Sequence, residues 1–213
     1  MRKPATIWFF LACILLVPAT AFTLYSWYDH RYARLPVLGQ DETEKAHHVE
    51  HRLADFLLVN QDGQPRSLNW WENQILVVNF FYSHCPVVCP QMTTNLRRVQ
   101  DAFREDPRVA QISISVDPER DSSSQLSRYS ARFRINPAKW QLLTGDKRTI
   151  YKLARNSFRL VATDGDGGPD DFIHSDRVVL VDPRHRLRGY YDGTDTLEIN
   201  NLIRDIKKLQ HEN

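Results

Sequence analysis

The apolar positions of the chain change period from block to block, and each change marks an element. From Pro4 to Tyr28 no residue is charged, and the stretch "ATIWFFLACILLVPATAFTLYSWY" is apolar throughout most of its length. That is about the ~20 residues a membrane helix needs, with Tyr25, Trp27 and Tyr28 where an interfacial aromatic belt would stand. In "DFLLVNQDGQPRSL" two short apolar runs flank Asp62-Gly63, which predicts a hairpin. "ILVVNFFY", Ile75 to Tyr82, is nearly continuous in β-branched and aromatic residues, as in a strand buried on both faces. Met92, Leu96, Val99 and Phe103 then recur at helical spacing. "VAQISISV" predicts the next strand, Leu126, Tyr129 and Phe133 a second helix, "WQLLTG" a short strand, and Ile150, Leu153 and Ala154 a third helix. After the turn-rich "DGDGGPDD", "RVVLVD" and "RLRGYYDG" read as a strand pair around Asp182-Pro183. A last helix opens with Asp195 and Glu198 and turns Ile199, Leu202, Ile206 and Leu209 inward. Strands alternating with helices, closed by an antiparallel pair and a helix, predict an α/β sandwich.

Three segments follow from this pattern. Residues 1–28 are expected to be an N-terminal transmembrane anchor, 29–52 a polar linker, and 53–213 the folded domain. Ala19-Thr20-Ala21 would suit signal-peptide cleavage, but the apolar character runs past it to Trp27, so a retained anchor is expected. Either way the domain is carried across the membrane. Composition changes little: 42% hydrophobic, 25% charged and a formal net charge of +2 give no clustered basic face and no case for nucleic acid.

The candidate chemistry lies in "NFFYSHCPVVCPQMTTNL". Cys85 and Cys89 stand with three residues between them, and each precedes a proline. Pro90 suits the first helical position, and the residue before a proline is steered out of the α region. These preferences place Cys89 at the helix N-cap, where the helix dipole would favour its thiolate. A structural disulfide closing so short a loop would add little stability. Activated thiols serve metal binding and disulfide exchange equally, and the motif does not choose between them. His174, in "DDFIHSDRVVLVD", enters the strand pair from a loop that can lie beside the cysteine turn. A solvated bystander is its plain reading; near the cysteines it would complete a two-sulfur, one-nitrogen set suited to copper, Cu(I) above all. His84 adjoins Cys85 but should point away from it. His47, His48 and His51 form an H-H-x-x-H cluster best read as a solvated face, Asp117 as a turn residue, and Trp70 and Trp71 as packing.

"NFFYSHCPVVCP", "SISVDPERD" and "HSDRVVLVDPRHRLRGYYDGT" together resemble the SCO/SenC family of membrane-anchored, thioredoxin-fold copper proteins, over roughly residues 53 to 210. The resemblance implies a thioredoxin-like fold, a central mixed sheet flanked by helices. It also implies a copper site, Cu(I) or Cu(II), made by Cys85, Cys89 and His174, with the cysteines as a redox-active pair. The implied task is copper delivery to the copper-bearing subunit of cytochrome c oxidase, or reduction of that centre's cysteines, by a single-pass inner-membrane protein with its domain on the periplasmic side. Many members carry Asp directly before the histidine, where this chain has Ile173. A peroxiredoxin would have Pro and Thr seven and three residues before its reactive cysteine; neither cysteine here has them. A periplasmic thiol–disulfide oxidoreductase without a metal-delivery role is the stronger alternative, although C-x-x-C and a proline just before the later strand are both missing.

Overall fold

The computed structural model describes residues 4–32, 34–39, 50–160 and 175–212. Helix α1 spans Pro4–Tyr32. Strands β1 (Leu57–Asn60) and β2 (Pro65–Ser67) form the hairpin expected around Asp62-Gly63, with Gly63 at φ +75° where an L side chain would be strained. A 3-10 turn, Leu68–Trp71, leads to β3 (Ile75–Phe81), followed by α2 (Val88–Ala102), β4 (Val109–Ser115) and α3 (Ser123–Arg132). Then come β5 (Trp140–Thr144), a short α4 (Lys147–Lys152) that loosens into a π turn at Leu153–Ser157, β6 (Arg177–Val181), β7 (Leu187–Asp192) and α5 (Thr196–Glu212).

The seven strands make one mixed sheet in the order β2-β1-β5-β4-β3-β6-β7. β3, β4 and β5 are parallel, while β6 runs antiparallel to β3, and β7 antiparallel to β6. Every residue of β3 and β4 is buried, which is why both read as unbroken runs rather than as alternating ones. Alternate side chains still serve different faces. Ile75, Val77 and Phe81 meet Met92, Leu96 and Val99 of α2 and Ile199, Leu202 and Ile206 of α5. Leu76, Val78 and Phe80 meet Ile150, Tyr151 and Phe158 on the other side.

Because β3 and β4 are parallel, their C-terminal ends share one pole of the domain, and the cysteine turn leaves β3 there. The opposite pole carries the start of β7 and the end of α5. There the described part of the expected linker is packed down: Leu38 bridges Leu187. Helix α1, 29 residues long, exposes Trp8, Ile14, Leu15, Phe22 and Tyr25. Over the described residues, no helix is long and apolar enough to cross a membrane, and the anchor stays a proposal.

Candidate metal centre

Strand β3 delivers the chain to a tight turn in which the Cys85 N–H donates to the Tyr82 carbonyl at 3.3 Å. The turn is fastened from below by Asp121, a carboxylate with no solvent exposure. Asp121 accepts the Ser83 N–H at 2.9 Å and the hydroxyls of Ser83 and Ser115 at 2.5 Å each. Gln125 of α3 donates to the Ser83 hydroxyl as well, at 3.1 Å. A buried carboxylate needs such donors to offset its lost hydration, and here most of them lead to the residue two before Cys85.

The helix starts two residues earlier than its prolines suggest. Its N-cap is Val87, so Cys89 is the second helical residue and Pro90 the third. Pro90 still loses nothing there, since the first four N–H groups of a helix lack intrahelical partners. The consequence for the thiols is a correction. Cys89 is not the cap; its side chain turns into the core with 5% exposure. Instead Cys85 Sγ takes the capping place, accepting the Cys89 N–H at 3.3 Å. Burial pushes the Cys85 thiol up, but donors from the Cys89 and Val87 backbones, helped by the Tyr82 hydroxyl, outweigh it and hold the thiol below its ordinary range. Burial dominates at Cys89 and pushes it up to about 12, with the neighbouring Cys85 adding to the rise. The activated thiol is therefore Cys85. Beneath the pair, Thr93 donates to the Cys89 carbonyl at 2.7 Å and bonds the Tyr129 hydroxyl at 2.8 Å, which ties the first turn of α2 to α3.

Cys89 opens into a crevice of about 10 Å³ shared with Phe81, Tyr82, Val88, Val116 and Ser175. Ser175 is there because β6 runs antiparallel to β3, with Val178 opposite Asn79, so that the chain entering β6 passes the cysteine end of β3. His174 itself lies outside the described residues, as do His47 and His48. Among the described residues no group of three or more His, Cys, Asp or Glu is placed to hold a metal ion.

The remaining candidates resolve individually. His84 is half exposed, with Nδ1 3.1 Å from the Ser83 hydroxyl and 3.7 Å from Asp121. Asp117 shapes the turn after β4, its carbonyl accepting the Arg120 and Asp121 N–H groups. His51 departs from the solvated face expected of it: it is buried, and its Nε2 bonds the Ser157 carbonyl at 2.8 Å on the π turn. Trp71 is core, and Trp70 is a rim residue under Arg66. Tyr82 and Asp121 escaped the sequence reading. Asp121 stands in "SVDPERD", but only the spatial meeting of the β3 and β4 ends shows that it supports the cysteine turn.

Comparison with known proteins bears on the family and the fold. The SCO1/SenC family model matches residues 44–211. The SCO1 protein homolog of Bacillus subtilis (strain 168) is 29% identical over 161 residues, spanning 75% of this chain and 83% of that protein. Among solved structures, BsSco, a member of the Sco family of cytochrome c oxidase assembly proteins in which a disulfide switch was identified, superimposes with a TM-score of 0.66 at 28% identity, over 76% of this chain and 95% of its own. Arabidopsis thaliana ScoI with copper bound gives a TM-score of 0.60 at 26% identity, over 75% and 98%.

Proposed function

The chain belongs to the SCO1/SenC family, and from that premise we propose that it is a membrane-anchored copper-binding protein of cytochrome c oxidase assembly. Copper is its cargo, held by Cys85, Cys89 and His174. The observation that carries the reading is Ser175, the residue after His174, lining the same crevice as Cys89. The donor chemistry fits: two buried sulfurs, one of them already biased to thiolate, suit a soft, low-coordinate ion. The crevice has room for little more than an ion. Binding must displace the Cys89 proton, so loading is coupled to proton release.

The sequence over α1 supports the anchor reading. It is uncharged from Pro4 to Tyr28, and 29 residues make a rod of roughly 43 Å. The domain then stands on the periplasmic side of the inner membrane, as a single-pass protein whose client is the copper-bearing oxidase subunit.

A second reading, thiol–disulfide exchange on the client's cysteines, is favoured by the asymmetry of the pair. A low-pKa thiol followed by a more strongly desolvated, high-pKa one is the arrangement of an attacking and a resolving cysteine. Copper titration of the reduced and the oxidised chain tests the choice. Delivery predicts one Cu(I) per reduced chain and none per oxidised chain. Restoration of oxidase activity in cells lacking the protein, by a variant that keeps both cysteines but cannot hold copper, would instead make reduction the primary task.

A further inference from the structure

The pole opposite the cysteines is built around arginine. Leu38 N donates to the Leu187 carbonyl at 2.8 Å, and Leu35 N to the Glu212 carboxylate at 2.8 Å. The Arg188 guanidinium, 4% exposed, donates to the carbonyls of Leu35 and Pro36 and to the carboxylates of Asp182 and Glu212. Residues 35–38 are therefore a strap fastened to the domain. The strap walls a cavity of about 320 Å³, into which Arg34, Arg184, Arg186, Arg188 and Glu212 face. Arg186 and Arg188 are taken up by Asp182, Glu50 and Glu212. Arg34 and Arg184 are exposed, and among the described residues neither has a carboxylate within ion-pair distance.

We propose that this cavity receives the phosphate of an acidic phospholipid headgroup, held by Arg34 and Arg184. The inference rests on α1 being the anchor. α1 ends at Tyr32, two residues before Arg34, so Arg34 lies at most ~7 Å of extended chain beyond the helix end. That is headgroup depth. Guanidinium forks match phosphate oxygens in pairs, and two of them with no counter-ion among the described residues leave the cavity short of negative charge there. Arg186 and Arg188 cannot serve, because each is already committed to carboxylates of the domain. An inorganic phosphate offers the same oxygens, but only a lipid presents them at the depth where the strap places Arg34. With one pole bound to headgroups, the seven residues of β3, rising ~23 Å, hold the cysteine turn away from the bilayer and towards a partner.

The test uses the full-length chain in nanodiscs of phosphatidylcholine, with or without phosphatidylglycerol, and counts retained lipids by native mass spectrometry. Phosphatidylglycerol should be retained over phosphatidylcholine. Arg34→Gln and Arg184→Gln should each weaken that retention roughly fivefold, while Arg66→Gln/Arg132→Gln, elsewhere on the domain, should not. Equal retention of the two lipids, or no loss in the Arg34→Gln/Arg184→Gln variant, overturns the proposal. Displacement of the lipid by millimolar inorganic phosphate would also overturn it, reassigning the cavity to a soluble anion. Carbonate extraction of membranes separates the premises. A chain that is released loses both the anchor and the headgroup site; a chain that stays but does not discriminate between lipids loses the headgroup site alone.

Discussion

Both poles of the domain bury polar groups, yet they treat them in opposite ways. At the strap pole, Arg188 has a carbonyl or carboxylate for every nitrogen, and Asp182 is held below the usual carboxylate range by Arg186 and Arg188 despite the opposing effect of burial. At the cysteine pole, the supporting carboxylate Asp121 is satisfied, but the thiols above it are not evenly treated. Cys85 is drawn towards thiolate by the start of α2, whereas Cys89 is desolvated and keeps its proton. The first arrangement fixes a segment in place. The second leaves two buried sulfurs, one electron-rich and one protonated, a pair whose energy improves when a soft cation or a disulfide partner arrives. Buried charge paired without remainder makes structure; charge demand left open makes chemistry.

The largest expected effects are those that separate the poles. Arg188→Ala should destabilise the domain by about 3–5 kcal/mol in urea unfolding, because Asp182 and Glu212 lose a buried partner. The Cu(I) affinity of the molecules that remain folded should be unchanged. Cys85→Ala or Cys89→Ala should do the reverse, abolishing tight Cu(I) binding with a far smaller loss of stability. Equal damage to both properties from either change would erase the distinction.

Asp121→Asn comes next. Its amide nitrogen cannot accept, so at least one of the Ser83 and Ser115 donors is left unpaired, at a cost of about 1–3 kcal/mol. Hydrogen exchange at the Ser83 amide, monitored residue by residue, should accelerate more than exchange within β3. Uniform acceleration would show Asp121 to be general support and not a fastening of the cysteine turn.

How much of this was legible in the sequence depends on what kind of contact was involved. The β3 run, the inward stripe Met92-Leu96-Val99 and the closing β6–β7 pair are local patterns, and the structure has them where their periodicity puts them. The cysteine turn was legible as chemistry but not in detail. Pro90 is tolerated equally well at the first and third helical positions, so local preferences could not tell which sulfur would cap α2. Asp121 and Arg188 were not legible at all. Each acts on residues far away in the sequence, Ser83 in one case and Leu35 and Pro36 in the other, and a polar side chain carries no periodic mark of its partner. His51 belongs to the same class: its place in a histidine cluster suggested solvent, while a carbonyl freed by the π turn drew it inside.

The thiol asymmetry gives a pH prediction of moderate size. Cys85 should react with iodoacetamide at a lower pH than an unfolded cysteine, and Cys89 should stay nearly inert until pH approaches 12. The linkage signs differ accordingly. The lowered Cys85 value adds stability that is present above the unfolded thiol pKa and is lost as pH falls through the folded value. The raised Cys89 value adds stability that is present below the unfolded pKa and is lost as pH rises towards about 12. Matching alkylation profiles for the two thiols would contradict the capping geometry. The smallest effect should come from Arg66→Ala, whose guanidinium lies 3.9 Å from the Trp70 ring centroid at the exposed rim. A loss of about 0.5–1 kcal/mol is expected there, with neither pole affected.

The central claim is that the two cysteines and the histidine beside Ser175 hold one copper together. X-ray absorption on the reduced, Cu(I)-loaded chain tests it directly, comparing the unaltered protein with His174→Ala. The account predicts two sulfur neighbours and one nitrogen neighbour, with the nitrogen lost and both sulfurs kept in the variant. A nitrogen shell that survives His174→Ala unchanged would contradict it.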